Sequence, residues 1–102
     1  MVVVPFPFAE KPGVKRRPAL VLSGAVLNRA GDTILAMVTS SGHAPWPGDT
    51  PVGDLAAAGL RASCVVRMKP FTLDSRLILQ RLGSLGQTDA RQVERALRSV
   101  LS

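Results

Sequence analysis

Three cations, Lys15, Arg16 and Arg17, stand directly against an apolar run that begins at Pro18 and continues through Ala19-Leu20-Val21-Leu22 to Ser23. Proline fixes its own φ and pushes the residue before it out of helical geometry. Arg17 is therefore expected to be extended at the mouth of a strand. A planar guanidinium held this way can donate two parallel hydrogen bonds to a phosphate. The plainer alternative is a solvated loop charge followed by a core strand. His43 is the only histidine. It is a candidate general base, because its side chain changes charge near neutral pH, or else an exposed loop residue. Cys64, the only cysteine, has nothing around it in the sequence to mark a reactive thiol and is expected inside a strand.

These residues need a scaffold, and the composition describes one. The 102 residues suit one domain spanning 1–102, and 46% are hydrophobic, enough for a core without disulfide or metal. A lone cysteine gives no disulfide framework and no metal cluster, so no cofactor is expected. No apolar run approaches the ~20 residues that span a bilayer. Met1 to Phe8 is apolar but lacks a basic start and carries Pro5 and Pro7, unlike a signal peptide. A cytoplasmic protein is expected. The net charge of +6 favours polyanionic partners. Four aromatics, Phe6, Phe8, Trp46 and Phe71, are too few for a broad base-stacking platform.

Val2 to Phe8 reads as a strand whose prolines, two apart, suit an edge or a bulged end. A loop with Pro12-Gly13 leads to a second strand at Pro18 to Ser23. Asn28 to Asp32 reads as a turn. Thr33 to Thr39, apolar on both faces, is expected to be a central strand. The polar stretch Ser40 to Asp54 is long for so small a domain, a length usual in functional or mobile connections. Ala56 to Leu60 suggests one helical turn ending at Gly59. Arg61 to Arg67 is expected as a strand broken at Lys69-Pro70, and Arg81 to Leu85 as a last short strand. A terminal helix follows, capped by Thr88 or Asp89, with Gln92 at capping-box spacing. Val93, Ala96, Leu97, Val100 and Leu101 mark its buried face, Arg91, Arg95 and Arg98 a basic stripe, and Glu94 can pair with Arg98. Short strands with one terminal helix predict a mostly β fold, a barrel-like antiparallel sheet with the helix packed on it.

An ordered series of motifs carries a family resemblance. Val3-Val4-Pro5-Phe6-Pro7-Phe8, Lys15 to Ser23, and Met37-Val38-Thr39-Ser40 are followed by Ala58-Gly59-Leu60 and Val65-Val66-Arg67. Phe71-Thr72-Leu73-Asp74 and Arg81-Leu82-Gly83-Ser84-Leu85 complete it. In this order they resemble the MazF/PemK toxins of bacterial type II toxin–antitoxin systems over nearly the whole chain. The resemblance implies a small SH3-like barrel that forms a homodimer. It also implies a metal-independent endoribonuclease acting on single-stranded RNA and an antitoxin whose acidic or disordered segment covers the RNA groove. In the implied chemistry the ribose 2′-oxygen attacks phosphorus, leaving a 2′,3′-cyclic phosphate and a 5′-hydroxyl.

On this resemblance Arg17 matches the catalytic arginine of the Arg-Pro motif, stabilising the phosphorane, and Thr39 matches a hydroxyl that orients the scissile phosphate. Ser40 is a second hydroxyl candidate. Arg67 matches an arginine used for RNA contact or catalysis in the PemK branch. The aspartate that follows two residues later in that branch is Lys69 here, whose ammonium suits phosphate contact. Glu10 lies in the first loop, where the MazF branch carries a glutamate, but further from the arginine; it is a candidate base. Lys15 and Arg16 suit phosphate contacts or solvated positions, and Trp46 suits stacking on a base or capping the core or the dimer seam. Met1 stands where the family usually has a Gly-Asp pair before the first strand. The alternative is a non-catalytic barrel that binds RNA or antitoxin. A gyrase poison resembling CcdB is disfavoured, because the chain ends Ser-Val-Leu-Ser without the expected aromatic. A membrane-surface role is weak, because the barrel needs the terminal helix's modest apolar face.

Overall fold

The computed structural model describes residues 1–6 and 15–102. The elements run β1 (Val2–Phe6), β2 (Lys15–Val21), α1 (Ala25–Arg29), β3 (Asp32–Ser40), β4 (Thr50–Pro51), α2 (Leu55–Ala58), β5 (Cys64–Asp74), a 3-10 turn (Ser75–Leu77), β6 (Gln80–Arg81) and α3 (Gln87–Leu101). The strands form one antiparallel sheet in the order β4-β5-β3-β2-β1-β6. Helix α1, an unexpected element, ends inside the turn expected at Asn28 to Asp32, leaving Ala30 and Gly31 as the turn before β3. Pro7, Phe8 and Glu10 lie outside the described residues.

Strand β3 is central, as its two-sided apolar pattern predicts. Consecutive side chains of a strand point to opposite faces, and both Leu35 and Ala36 are fully buried, so each face of the sheet has its own core. On one face Leu20, Ala36, Val38, Val66 and Met68 pack with Val52, Ala58 and Val93, the last from α3. On the other, Val2, Val4, Ala19, Leu35 and Leu73 cluster, flanked by Val21, Phe71 and Ile78.

The expected break at Lys69-Pro70 does not occur. Strand β5 runs through it by a bulge: Ala36 lies opposite Pro70 while Met37 lies opposite Arg67. Two extra residues let the missing proline donor fall where the ladder is already irregular. Pro5 is similarly accommodated, because β6 pairs only with Val2 and Val3 and leaves Pro5 on an open edge.

Helix α3 departs from expectation at both ends. Gly86 is its N-cap, with no side-chain cap. Asp89, 5% exposed, instead accepts hydrogen bonds from the backbone N–H groups of Gly53 (3.0 Å) and Asp54 (2.8 Å). Asp54 in turn caps α2 by accepting from the Ala57 N–H. A capping box is a local device, whereas Asp89 ties two distant segments together. At the other end Val100 and Leu101 are exposed although they continue the apolar spacing. The basic residues Arg91, Arg95 and Arg98 are exposed, and Arg98 pairs with Glu94 at 3.4 Å.

Candidate active site

The site lies on the sheet face away from α3. In an antiparallel pair, residues directly opposite share a face. Val4 is opposite Arg17, and Ala19 is opposite Met37. Counting two residues further along β2 and β3 sets Arg17 against Thr39. Both line one cleft of about 190 Å³, with Val4, Phe6, Ala19, Met37, His43 and Phe71. The sheet thus brings together Arg17, Thr39 and His43, which lie far apart in sequence. The wall around them is mainly apolar, which lowers the local dielectric and strengthens any contact between Arg17 and an anion.

Arg17 is exposed, and its guanidinium has no hydrogen-bond or ion-pair partner among the described residues. Pro18 opposes Val3 within the β1–β2 ladder, so the backbone that carries Arg17 is held by strand pairing as well as by the proline ring. Lys15 and Arg16 also lie exposed on β2. Alternation puts Lys15 on the face of Arg17 and Arg16 on the opposite face. Neither lines the cleft.

The segment from Ser41 to Asp49 forms a strap beside the cleft. Ser40 Oγ and His43 Nε2 are 3.1 Å apart. Arg67 Nε donates to Asp49 Oδ1 (3.0 Å) and Arg67 Nη2 to Asp49 Oδ2 (2.9 Å), a two-point pair, and Nη2 also donates to the Ala44 carbonyl (2.9 Å). The two side chains are only 14% and 18% exposed. The guanidinium beside Asp49 holds its carboxyl below the usual carboxylate range, and the carboxylate pushes Arg67 up. Trp46 donates from its indole N–H to the Met68 carbonyl (3.2 Å), and its backbone N–H donates to Asp49 (3.0 Å). The Lys69 ammonium sits 4.0 Å from the centre of the indole ring, a cation–π contact. Gly48 has φ +82°, and a Cβ there would meet Met68 and Val100, so the strap lies close against β5 and α3.

The candidate residues therefore divide. Arg17, Thr39 and His43 line the cleft, and Ser40 touches it through His43. Arg67 faces the strap with its guanidinium committed, and Trp46 and Lys69 occupy one another. Glu10 lies outside the described residues. Cys64 is partly buried in β5, with burial pushing its thiol up. Asp49 was not legible as a partner for Arg67: it is one of seven acidic residues, eighteen positions away. The apolar wall was legible only as strand alternation.

A family model described as "PemK-like, MazF-like toxin of type II toxin-antitoxin system" matches residues 1–101. The chain belongs to this family. Among solved structures it is similar to the Mycobacterium tuberculosis toxin MazF-mt6, with 18% identity, 99% of this chain and 96% of that one covered, and a TM-score of 0.75. It is similar to MazF of the Deinococcus radiodurans MazE-MazF structure, with 28% identity, 99% and 89% coverage, and a TM-score of 0.72. It is also similar to an endoribonuclease from a mycobacterial species in complex with its cognate antitoxin, with 20% identity, 98% and 90% coverage, and a TM-score of 0.73. A comparison with curated protein sequences gives no match. The expected fold class, mostly β with a C-terminal helix, is the one these neighbours share. Among the described residues, no helix is long and apolar enough to cross a membrane.

Proposed function

We propose that this toxin is an endoribonuclease that cuts single-stranded RNA at the Arg17 cleft. One observation carries the reading: an arginine held by strand pairing, with no side-chain partner among the described residues, lies in the same cleft as the Thr39 hydroxyl. A phosphodiester placed between them meets two donor sets. Arg17 offers paired N–H groups to the non-bridging oxygens, where negative charge grows as the ribose 2′-oxygen adds to phosphorus. Thr39 donates to the same phosphate and fixes its orientation for in-line attack. The products are a 2′,3′-cyclic phosphate and a 5′-hydroxyl.

One similar structure is a mycobacterial endoribonuclease in complex with its cognate antitoxin, and another is a MazE-MazF structure. They support an antitoxin partner for this chain. An acidic or disordered antitoxin segment would compete with RNA for Arg17, and the excess of thirteen Lys and Arg over seven Asp and Glu favours both polyanions. A homodimer and a cytoplasmic setting belong to the same reading.

The test is RNA incubated with the purified protein in EDTA, with the fragment ends mapped. Cyclic phosphate and 5′-hydroxyl ends, lost in Arg17→Ala, are expected. RNA that is bound but left intact would make the chain a non-catalytic binder.

A further inference from the structure

Arg17 and Thr39 can hold a phosphate and stabilise its charge, but neither can take the 2′-hydroxyl proton: a guanidinium stays protonated, and a threonine hydroxyl is a poor base. Some other group must accept that proton if the reading above is correct. His43 is the one described cleft residue with an imidazole, which carries one nitrogen that accepts and one that donates.

We propose that His43 is the acid–base catalyst of the cleft, and that the Arg67–Asp49 pair is the latch that holds it in position. The proposal rests on the ribonuclease reading. His43 lines the cleft, and its Nε2 is 3.1 Å from Ser40 Oγ at the end of β3. With the Nε2–H tautomer donating to Ser40, the Nδ1 lone pair is left to accept. In the first step the 2′-O–H bond breaks and its proton passes to Nδ1. The oxygen's electron pair forms the new bond to phosphorus. The P–O5′ bond then breaks, its pair stays on the 5′-oxygen, and that oxygen takes a proton from the imidazolium. The histidine ends neutral, and no metal, oxidant or reductant enters the balance.

The nine-residue strap has a turn of its own, in which the Trp46 N–H donates to Asp49, and the Trp46 indole ties it to the Met68 carbonyl. Arg67 adds the tie beside His43 from β5, with two hydrogen bonds to Asp49 and one to the Ala44 carbonyl, the residue next to His43. Arg67 and Asp49 are thus positioning residues, and the guanidinium is spent on the strap instead of on RNA. Among the described residues, the charged group that shares the cleft with His43 is Arg17 of β2, and Arg67 of β5, paired with Asp49, bonds to the neighbouring Ala44.

The experiment measures single-turnover cleavage of an RNA oligonucleotide between about pH 5 and 8 by the wild type and by His43→Gln, His43→Ala, Asp49→Asn, Asp49→Glu and Arg17→Ala. His43→Gln should lose roughly 10²- to 10⁴-fold in rate. It should also lose the acid limb that imidazole protonation imposes, with RNA affinity nearly unchanged. Added imidazole should restore part of the His43→Ala rate. Asp49→Asn should lower the rate at saturating RNA while keeping the limb, and Asp49→Glu should recover much of it. Cleavage that depends on Arg17 but keeps its rate and acid limb in both His43 variants overturns this proposal alone. No cleavage by the wild type, or full cleavage by Arg17→Ala, overturns the ribonuclease reading and this proposal with it.

Discussion

The cleft mouth at Arg17 and the strap at Arg67 each present an arginine from a strand, yet the two guanidiniums have opposite fates. Arg67 is nearly enclosed and spends its donors on Asp49 and Ala44. Arg17 is exposed and spends none on any described residue. An arginine with a two-point carboxylate partner is already satisfied, and freeing it for RNA would leave Asp49 without its counter-ion. An open arginine in an apolar-walled cleft carries no such cost. Availability, rather than residue type, separates a group that can grip a phosphate from one that builds the wall beside it.

Replacing each residue in turn can break or sharpen this contrast. Of the two arginines the larger effect is expected at Arg17: alanine should reduce RNA cleavage roughly 10²- to 10³-fold, with circular dichroism and thermal midpoint unchanged. Comparable loss of cleavage and of folding together would mean that Arg17 is structural. Thr39→Val keeps the shape and removes one hydrogen bond to a charged phosphate, which corresponds to about 10- to 100-fold in rate. Unchanged kinetics would leave Arg17 to act without a hydroxyl partner.

Away from the cleft, Asp89→Ala leaves the N–H groups of Gly53 and Asp54 without their acceptor and should cost about 1–3 kcal/mol in urea unfolding. Cleavage per folded molecule should stay the same. A smaller effect is expected from acid. The Asp49 carboxyl is held below its ordinary value of 3.8, first by its hydrogen bonds from Arg67. Its contribution is therefore full above that value and is lost as pH falls through the lower, folded one. Trp46 is the only tryptophan and sits in the strap, so its fluorescence should report the strap loosening in that window. Asp49→Asn should already show the loosened signal at neutral pH. The smallest effect is at the exposed Glu94–Arg98 pair, where Glu94→Gln should leave unfolding and cleavage unchanged within error.

Much of the fold was legible because it follows from local rules. The two-sided apolar run of β3 marked a central strand, and Gly59 marked the end of α2 with its left-handed φ of 74°. The run from Pro18 marked a strand, although β2 begins three residues earlier, at Lys15, and ends at Val21 instead of Ser23. Local rules also misled. Pro70 looked like a strand break because a proline cannot donate, but the bulge opposite Ala36 and Met37 removes the need for a donor. Asp89 looked like a helix cap because of its spacing to Gln92, but stronger partners lay in the loop before α2. Val100 and Leu101 kept the helical period, yet both stay exposed, Val100 with the strap near Gly48 beside it.

The chain by itself determined most of its strands and its terminal helix, its positive charge and the presence of an arginine braced by proline, because strand alternation, proline geometry and net charge are properties of neighbouring residues. Tertiary structure decided which side chains share a cleft and which arginine is committed to a carboxylate. Those outcomes depend on strand register and on a carboxylate eighteen positions from Arg67, and no local pattern encodes the distance between them.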